Sequence, residues 1–311
     1  MDRWPRREFL KRSGIAGLSS LVTSRLLHGA AGALPNPVGY ATISWPDGQL
    51  EHALDTISRL GYQGVQVLGW IREKYGNRLE YLRERLHSLN LKPVTLSCWD
   101  VNLKPEDPKD DVAQLQSYAA FFQKLGGAYL QVTDGGKPNG SYSSETLRQL
   151  GARMSVLGRI ARDHGLELGY HPHAGTLGET REGIAQVLDA TDPEQVKLIV
   201  DVGHLALSGI DPVEVLRSYG DRLLLAHFKD VSKEAAALAR QGLARVRDRD
   251  YVFCEVGAGV VDFPAVVRTF REVSFKGWIV IELDGNKPGP GGPDASAEIN
   301  RAAMKKLGFA I

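Results

Sequence analysis

Apolar runs of strand length alternate along this chain with longer segments whose apolar positions recur every three or four residues, the pattern of strands interleaved with amphipathic helices. The predicted strands are 39–43, 64–68, 92–97, 129–132, 166–170, 196–200, 223–226 and 278–281. Between them the spacing predicts helices over 50–60, 77–89, 112–125, 144–164, 181–190, 212–219 and 263–273. Asp211 before Pro212 marks one helix start, an acidic cap followed by proline at the first helical position. Gly61 and Gly165 mark helix ends, where a left-handed residue turns the chain into the next strand. Eight strands alternating with helices predict an α/β fold closed as a (β/α)8 TIM barrel.

A doubly wound nucleotide-binding sheet fits less well. No glycine-rich fingerprint follows the first strand, and the Gly/Pro-rich stretch 285–293 lacks the Gly-Lys-Ser/Thr ending of a phosphate loop. That stretch reads as a loop behind the last strand. One longer excursion separates Asp230 from a strand-like run at 251–253; it starts with helical composition from Glu234 to Arg240 and carries Arg245, Arg247 and Arg249. Following the seventh strand, it belongs over the barrel mouth, as a lid, a subunit contact or a solvated helix.

With 311 residues, 43% of them hydrophobic, the chain can build the core of one large barrel. The net charge of +1 depends on the first 33 residues, where Arg3, Arg6, Arg7, Lys11, Arg12 and Arg25 face only Asp2 and Glu8. Without them, 32 basic and 35 acidic side chains remain, a net charge of −3 that gives no general reason to bind nucleic acid or a membrane surface. The twin Arg6-Arg7, the modestly apolar stretch from Ile15 to Leu27 and Ala31-Gly32-Ala33 together predict a twin-arginine export signal over 1–33, with cleavage after Ala33 and a periplasmic or extracellular product. The apolar stretch is too short and too rich in Ser, Thr and Arg for a membrane anchor. A single barrel domain is then expected over 34–311. Cys98 and Cys254 each follow a strand-like run and read as small buried apolar residues; the sequence does not support a disulfide between them. A homo-oligomer is open, with no decisive interface pattern.

Chemistry concentrates where strands end. Tyr170-His171-Pro172-His173, Asp201-Val202-Gly203-His204, His227-Phe228-Lys229-Asp230 and Glu282 each follow an apolar run. His171, Asp201, His227 and Glu282, expected one residue past their strands, would converge if those strands are parallel neighbours. Two imidazoles and two carboxylates suit Mn2+ first, with Co2+, Zn2+, Fe2+ or Mg2+ as alternatives, and suit Ca2+ poorly. Any one of these histidines alone reads better as a hydrogen-bonded core or rim residue; four candidates at equivalent strand ends turn the balance toward a metal. His173 and His204 lie two and three residues beyond candidate ligands, His173 aimed at the substrate or the metal and His204 in the turn entering the next connection, and both fit substrate-binding or supporting roles. Lys229 is placed to stabilise an enolate or a substrate hydroxyl with Asp230 orienting it, or else to form a rim salt bridge with Asp230. Trp45, Trp70 and Trp99 come at or just after the first three strand ends; aromatic faces there can stack on sugar C–H surfaces, or simply pack.

These fragments, with Gly257-Ala258-Gly259-Val260-Val261-Asp262-Phe263 and Gly277-Trp278-Ile279-Val280-Ile281-Glu282, resemble the sugar phosphate isomerase/epimerase superfamily with its xylose isomerase-like barrel, and within it inosose dehydratase-type proteins most. The resemblance runs from Val38 to the C-terminus. It implies a divalent metal held by His171, Asp201, His227 and Glu282. Epimerases of the superfamily generally carry Glu where His171 stands, as one of two opposed acid/base carboxylates, whereas inosose dehydratase-like members resemble this chain in having His. Gln66, where many relatives carry Glu, is a second departure.

Such a metal acts as a Lewis acid on a ketone oxygen and its neighbouring hydroxyl, stabilising the enediolate left when an adjacent C–H is deprotonated. Reprotonation gives isomerisation or epimerisation; loss of a β-substituent gives dehydration. The expected base is Glu282 or His173, and the expected acid or electrophilic helper is His204 or Lys229. The expected substrate is a small unphosphorylated keto-sugar or cyclitol. A non-catalytic sugar-binding barrel is the alternative, because fold alone does not establish catalysis. A metal-dependent endonuclease-like phosphodiesterase fits less well, lacking a richer ligand set and a basic face.

Overall fold

Strands buried on both faces need helices over their outer side, and a closed parallel barrel gives every strand two neighbours as well. The computed structural model describes residues 34–101, 103, 111–135, 142–243, 252–283 and 291–311. Eight strands close into that barrel: β1 (Val38–Ala41), β2 (Gly64–Leu68), β3 (Lys92–Val101), β4 (Tyr129–Asp134), β5 (Glu167–His171), β6 (Val196–Asp201), β7 (Leu223–Phe228) and β10 (Trp278–Ile281). All eight pairings are parallel, with β10 returning to β1. The remaining strands, β8 (Asp230–Val231) and β9 (Phe253–Cys254), form a separate antiparallel pair.

The outer helices follow from their stripes and caps. In α1 (Leu50–Arg59), Leu50, Ala53, Leu54 and Ile57 are buried at helical spacing. In α10 (Phe263–Glu272) the buried face is Phe263, Val266, Val267 and Phe270, and the Asp262 carboxylate accepts from the Ala265 N–H. Asp211 caps α8 (Pro212–Ser218) as its sequence predicts. The other helices of the described residues are α2 (Ile71–Tyr75), α3 (Leu79–Ser88), α4 (Asp111–Leu125), α5 (Ser144–Asp163), α6 (Arg181–Asp189), α7 (Val202–Leu207), α9 (Lys233–Ala239) and α11 (Gly292–Leu307). Gly61 and Gly165 take positive φ, 81° and 71°, at the helix ends read for them. No helix among the described residues is long and apolar enough to cross a membrane.

Several boundaries differ from the sequence expectation. The first strand stops at Ala41 and passes into a 3-10 turn over Thr42–Ser44. β3 continues to Val101, and β4 through β7 each extend past their predicted ends, so His171 and Asp201 are the last residues of their strands and His227 the next to last, rather than one residue beyond; Glu282 alone follows its strand directly. His204 sits in α7, not in a turn. The final helix α11 begins within the segment read as loop. Both cysteines are free. Residues 1–33, 284–290 and the arginine-bearing 244–251 lie outside the described residues, so the export signal and most of the expected lid carry no structural description.

Candidate active site

At the carboxyl ends of β5, β6, β7 and β10, four side chains come together. One ligand atom from each of His171, Asp201, His227 and Glu282 lies within 4.8 Å of the others, and all four residues are buried. The Asp201 carboxylate divides its duties. Its Oδ1 accepts from the His204 N–H at 2.9 Å, capping α7, and its Oδ2 faces His171 Nε2 at 3.3 Å and His227 Nδ1 at 3.5 Å. This is the physical content of Asp201-Val202-Gly203-His204: one residue starts the helix and supplies a ligand oxygen. Gly203 is required by close packing, since a Cβ there would fall 2.5 Å from Cγ of Lys229.

Lys229 is fully buried, with Nζ 2.9 Å from Asp201 Oδ2 and 2.9 Å from Glu282 Oε2. The expected pairing with Asp230 is not what the fold makes. The Asp230 carboxylate accepts five backbone N–H groups, Val231, Val260 and Val261 on Oδ1 and Gly257 and Gly259 on Oδ2, and so pins the 257–261 turn. A carboxylate that already has five donors has no need of the neighbouring ammonium, which turns inward to the buried carboxylates of Asp201 and Glu282. The ring of Phe253, brought over by the β8–β9 pair, lies 4.7 Å from Lys229 Nζ and 4.8 Å from the His204 ring.

Charge is unevenly shared among these groups. Burial lowers His171 to about 4, leaving it neutral. Burial acts the same way on His227, but the charges of Glu282 and Asp201 outweigh it and lift it to about 9. Burial would raise both carboxylates; His227 and Lys229 outweigh it for Glu282, as Lys229 and His204 do for Asp201, and hold both well below the usual range. His227 Nδ1 makes no hydrogen bond, although it faces two buried carboxylate oxygens. An orphaned ring nitrogen, a second imidazole and two carboxylates fit a divalent cation, and these four residues would hold it.

His171, His173 and His204 form a second cluster with nitrogens within 4.8 Å of one another. It shares His171, whose Nδ1 is 2.8 Å from Gln131 Nε2, so that ring has one nitrogen left and serves one ion. His173 and His204 stack at 4.1 Å, and His173 Nε2 is buried without a hydrogen bond. Burial, then His204 and His171, push His173 well below the ordinary histidine range, so it is neutral. His204 Nδ1 accepts from the Ala174 N–H at 3.3 Å, which leaves the proton on its Nε2.

The three tryptophans separate. Trp45 does not offer the expected sugar platform: it is 4% exposed, packs edge-on against Tyr40, and its indole N–H donates to Asp294 at 2.8 Å. Trp70 and Trp99 are half-buried, and each keeps an indole N–H without a protein acceptor. Residues not singled out from the sequence also matter. Gln131 stands as a buried polar residue between Leu130 and Val132, as Gln66 does between Val65 and Val67, which is the signal that could have marked it. Asp134, at the end of β4, accepts from the Gly178 N–H and so holds the loop that carries His173.

The model of the xylose isomerase-like TIM barrel family matches residues 54–307. Inosose dehydratase of Clostridium botulinum (strain Alaska E43 / Type E3) is 27% identical over 267 residues, covering 80% of this chain and 88% of that one. Among solved structures, the 3-keto-D-glucoside 4-epimerase YcjR of E. coli matches with a TM-score of 0.68 at 16% identity, over 88% of this chain and 98% of that chain. The IOLI protein, solved with a zinc atom, matches with a TM-score of 0.70 at 17% identity, over 87% and 96%. Family match, closed parallel barrel and strand-end ligand set agree, and the chain belongs to the xylose isomerase-like TIM barrel family.

Proposed function

We propose that this chain is a divalent-metal-dependent lyase of the inosose dehydratase kind, removing water from a keto-sugar or cyclitol. The observation that carries the reading is the asymmetry of the site. Epimerisation by two opposed carboxylates needs an acid residue where His171 stands, and the remaining carboxylate, Glu282, is already engaged by Gln66 and Lys229. What faces the cluster instead is the stacked pair of His173 and His204 on one side and a buried ammonium on the other. A single base and a separate acid suit elimination.

A divalent ion, when bound, supplies Lewis-acid stabilisation of the negative charge that develops as a carbon beside a ketone loses its proton. His173 Nε2, buried and without a hydrogen bond, accepts that proton. The C–O bond at the β-carbon then breaks, and the departing hydroxyl takes a proton from Lys229 Nζ and leaves as water. His204 Nε2–H orients a substrate oxygen, and Phe253 keeps water away from the ammonium. The unpartnered indole N–H groups of Trp70 and Trp99 suit a polyol. The mixed nitrogen and oxygen donor set favours Mn2+. Residues 1–33 support export of the enzyme by the twin-arginine route.

Incubation with inososes, keto-sugars and 3-keto-glycosides in D2O with Mn2+, followed by NMR, tests the reading. An unsaturated product is expected. Deuterium incorporation without loss of water would assign an isomerase instead, and no turnover with any divalent ion would leave a binding barrel.

A further inference from the structure

We propose that Gln66 is a positioning residue that selects which nitrogen of His227 meets the divalent ion and reserves one oxygen of Glu282 for it. The inference rests on the metal-dependent reading above and deepens it. Gln66 is the middle residue of β2, completely buried, and its amide reaches across the barrel mouth to two other strands. Its Nε2 lies 2.5 Å from Glu282 Oε1, and its Oε1 lies 2.7 Å from His227 Nε2.

The direction of both bonds is forced by donor chemistry. An ionised carboxylate only accepts, so the amide NH2 group must face Glu282. The amide oxygen then faces His227, and because an oxygen of this kind also only accepts, His227 Nε2 must carry a proton. Reversing the amide would bury its oxygen against a carboxylate oxygen with no donor between them, leaving two acceptors uncompensated. Nδ1 is therefore the ring nitrogen left for an ion, and a proton on Nδ1 is the one an incoming ion displaces. The geometry agrees: Nδ1 makes no hydrogen bond and faces Glu282 Oε2 at 3.2 Å and Asp201 Oδ2 at 3.5 Å.

The same amide sorts the two oxygens of Glu282. Oε1 is taken by Gln66, and Oε2 is the one turned toward the cluster. An ionised Glu at this position would still accept from His227 but would repel Glu282, so only the amide serves both partners at once. Supporting hydrogen bonds of this kind typically change metal affinity by about 10–100-fold.

The test uses the full chain labelled with 15N-histidine and loaded with Zn2+, a diamagnetic probe. Long-range 1H–15N spectra should show His227 protonated at Nε2 and zinc-bound at Nδ1. Zinc titration of Gln66→Met, which keeps the volume and removes both hydrogen bonds, should show a 10–100-fold loss of affinity and a mixed nitrogen signature. Gln66→Glu should retain the Nε2–H signature. Zinc bound through Nε2 in the wild type overturns the inference, and this measurement needs no variant to fold. So does a Gln66→Met protein with unchanged affinity and unchanged signature. A wild type that takes up no divalent ion, or a His227→Ala variant that binds as tightly, brings down the metal-dependent reading itself.

Discussion

The Lys229 ammonium lies 2.9 Å from Oε2 of Glu282, the same oxygen that faces Nδ1 of His227. A buried cation thus already neutralises the acids of the candidate metal centre. Removing one partner of such a pair typically costs about 3–5 kcal/mol, because the other charge stays buried. Lys229→Met is expected to lower the stability of the metal-free protein by that order and to recover most of it with Mn2+. Its turnover should fall by about 10²–10⁴-fold, the usual worth of a positioned proton donor. Thermal melts with and without Mn2+, beside rate measurements, check both; wild-type turnover in the variant would sink the assignment.

Chelation gives an independent handle on the four strand-end residues. A ligand at a hundred times its dissociation constant stabilises by about 2.7 kcal/mol. For a barrel of this size that corresponds to a rise in melting temperature of roughly 4–5 °C. Calorimetry should show the rise on adding Mn2+ to EDTA-treated wild type and its absence in Asp201→Asn, whose amide cannot both cap α7 and offer an anionic oxygen.

His173 is read as a base rather than a ligand. His173→Ala should therefore keep its metal stoichiometry by elemental analysis while losing about 10²–10⁴-fold in turnover. Loss of the metal along with activity would move His173 into the coordination shell.

Asp134 makes stability depend on pH. Burial raises its carboxyl from 3.8 to about 6 despite the opposing hydrogen bond from the Gly178 N–H. Because the folded value lies above the unfolded one, the contribution is complete below about pH 4 and is lost as pH rises through about 6, an effect on the order of 2–3 kcal/mol. Asp134→Asn cannot ionise, so its stability relative to wild type should improve by about 1.4 kcal/mol between pH 5 and pH 8, the rest of the effect falling between pH 4 and pH 5. Denaturant unfolding at the two pH values reads the difference, and a gap that does not change with pH contradicts it.

Five backbone donors on one carboxylate make Asp230 the anchor of the 257–261 turn. Gly259 fits there because a Cβ would lie 2.5 Å from Asp230 Oδ1. Charge-assisted hydrogen bonds contribute about 1.5–3 kcal/mol each and are not additive, so Asp230→Ala should cost at least about 3 kcal/mol. Hydrogen exchange should show the amides of Gly257, Gly259, Val260 and Val261 losing protection together. Retained protection in the variant would show that the turn holds by other means.

The barrel was legible because strand and helix periodicities are local properties, and β2 and β10 match their predicted limits residue for residue. Strand ends were less so. β5 to β7 run further than their apolar cores because His171, Asp201, Phe228 and their neighbours still pair with adjacent strands, and pairing is a property of the neighbour. The short helix α7 was hidden for a related reason: its cap, Asp201, reads first as a strand-end acid.

By itself the sequence determined the alternation that closes a barrel and the run of His, Asp and Glu at successive strand ends, since both depend on spacing along the chain. Only the tertiary structure decided direction. Lys229 turns to Asp201 and Glu282 instead of Asp230, Trp45 faces the core, and Gln66 links residues that lie 161 and 216 positions away. Each of those outcomes depends on which donors and acceptors are left unsatisfied once the strands have met, and that count exists only in the folded chain.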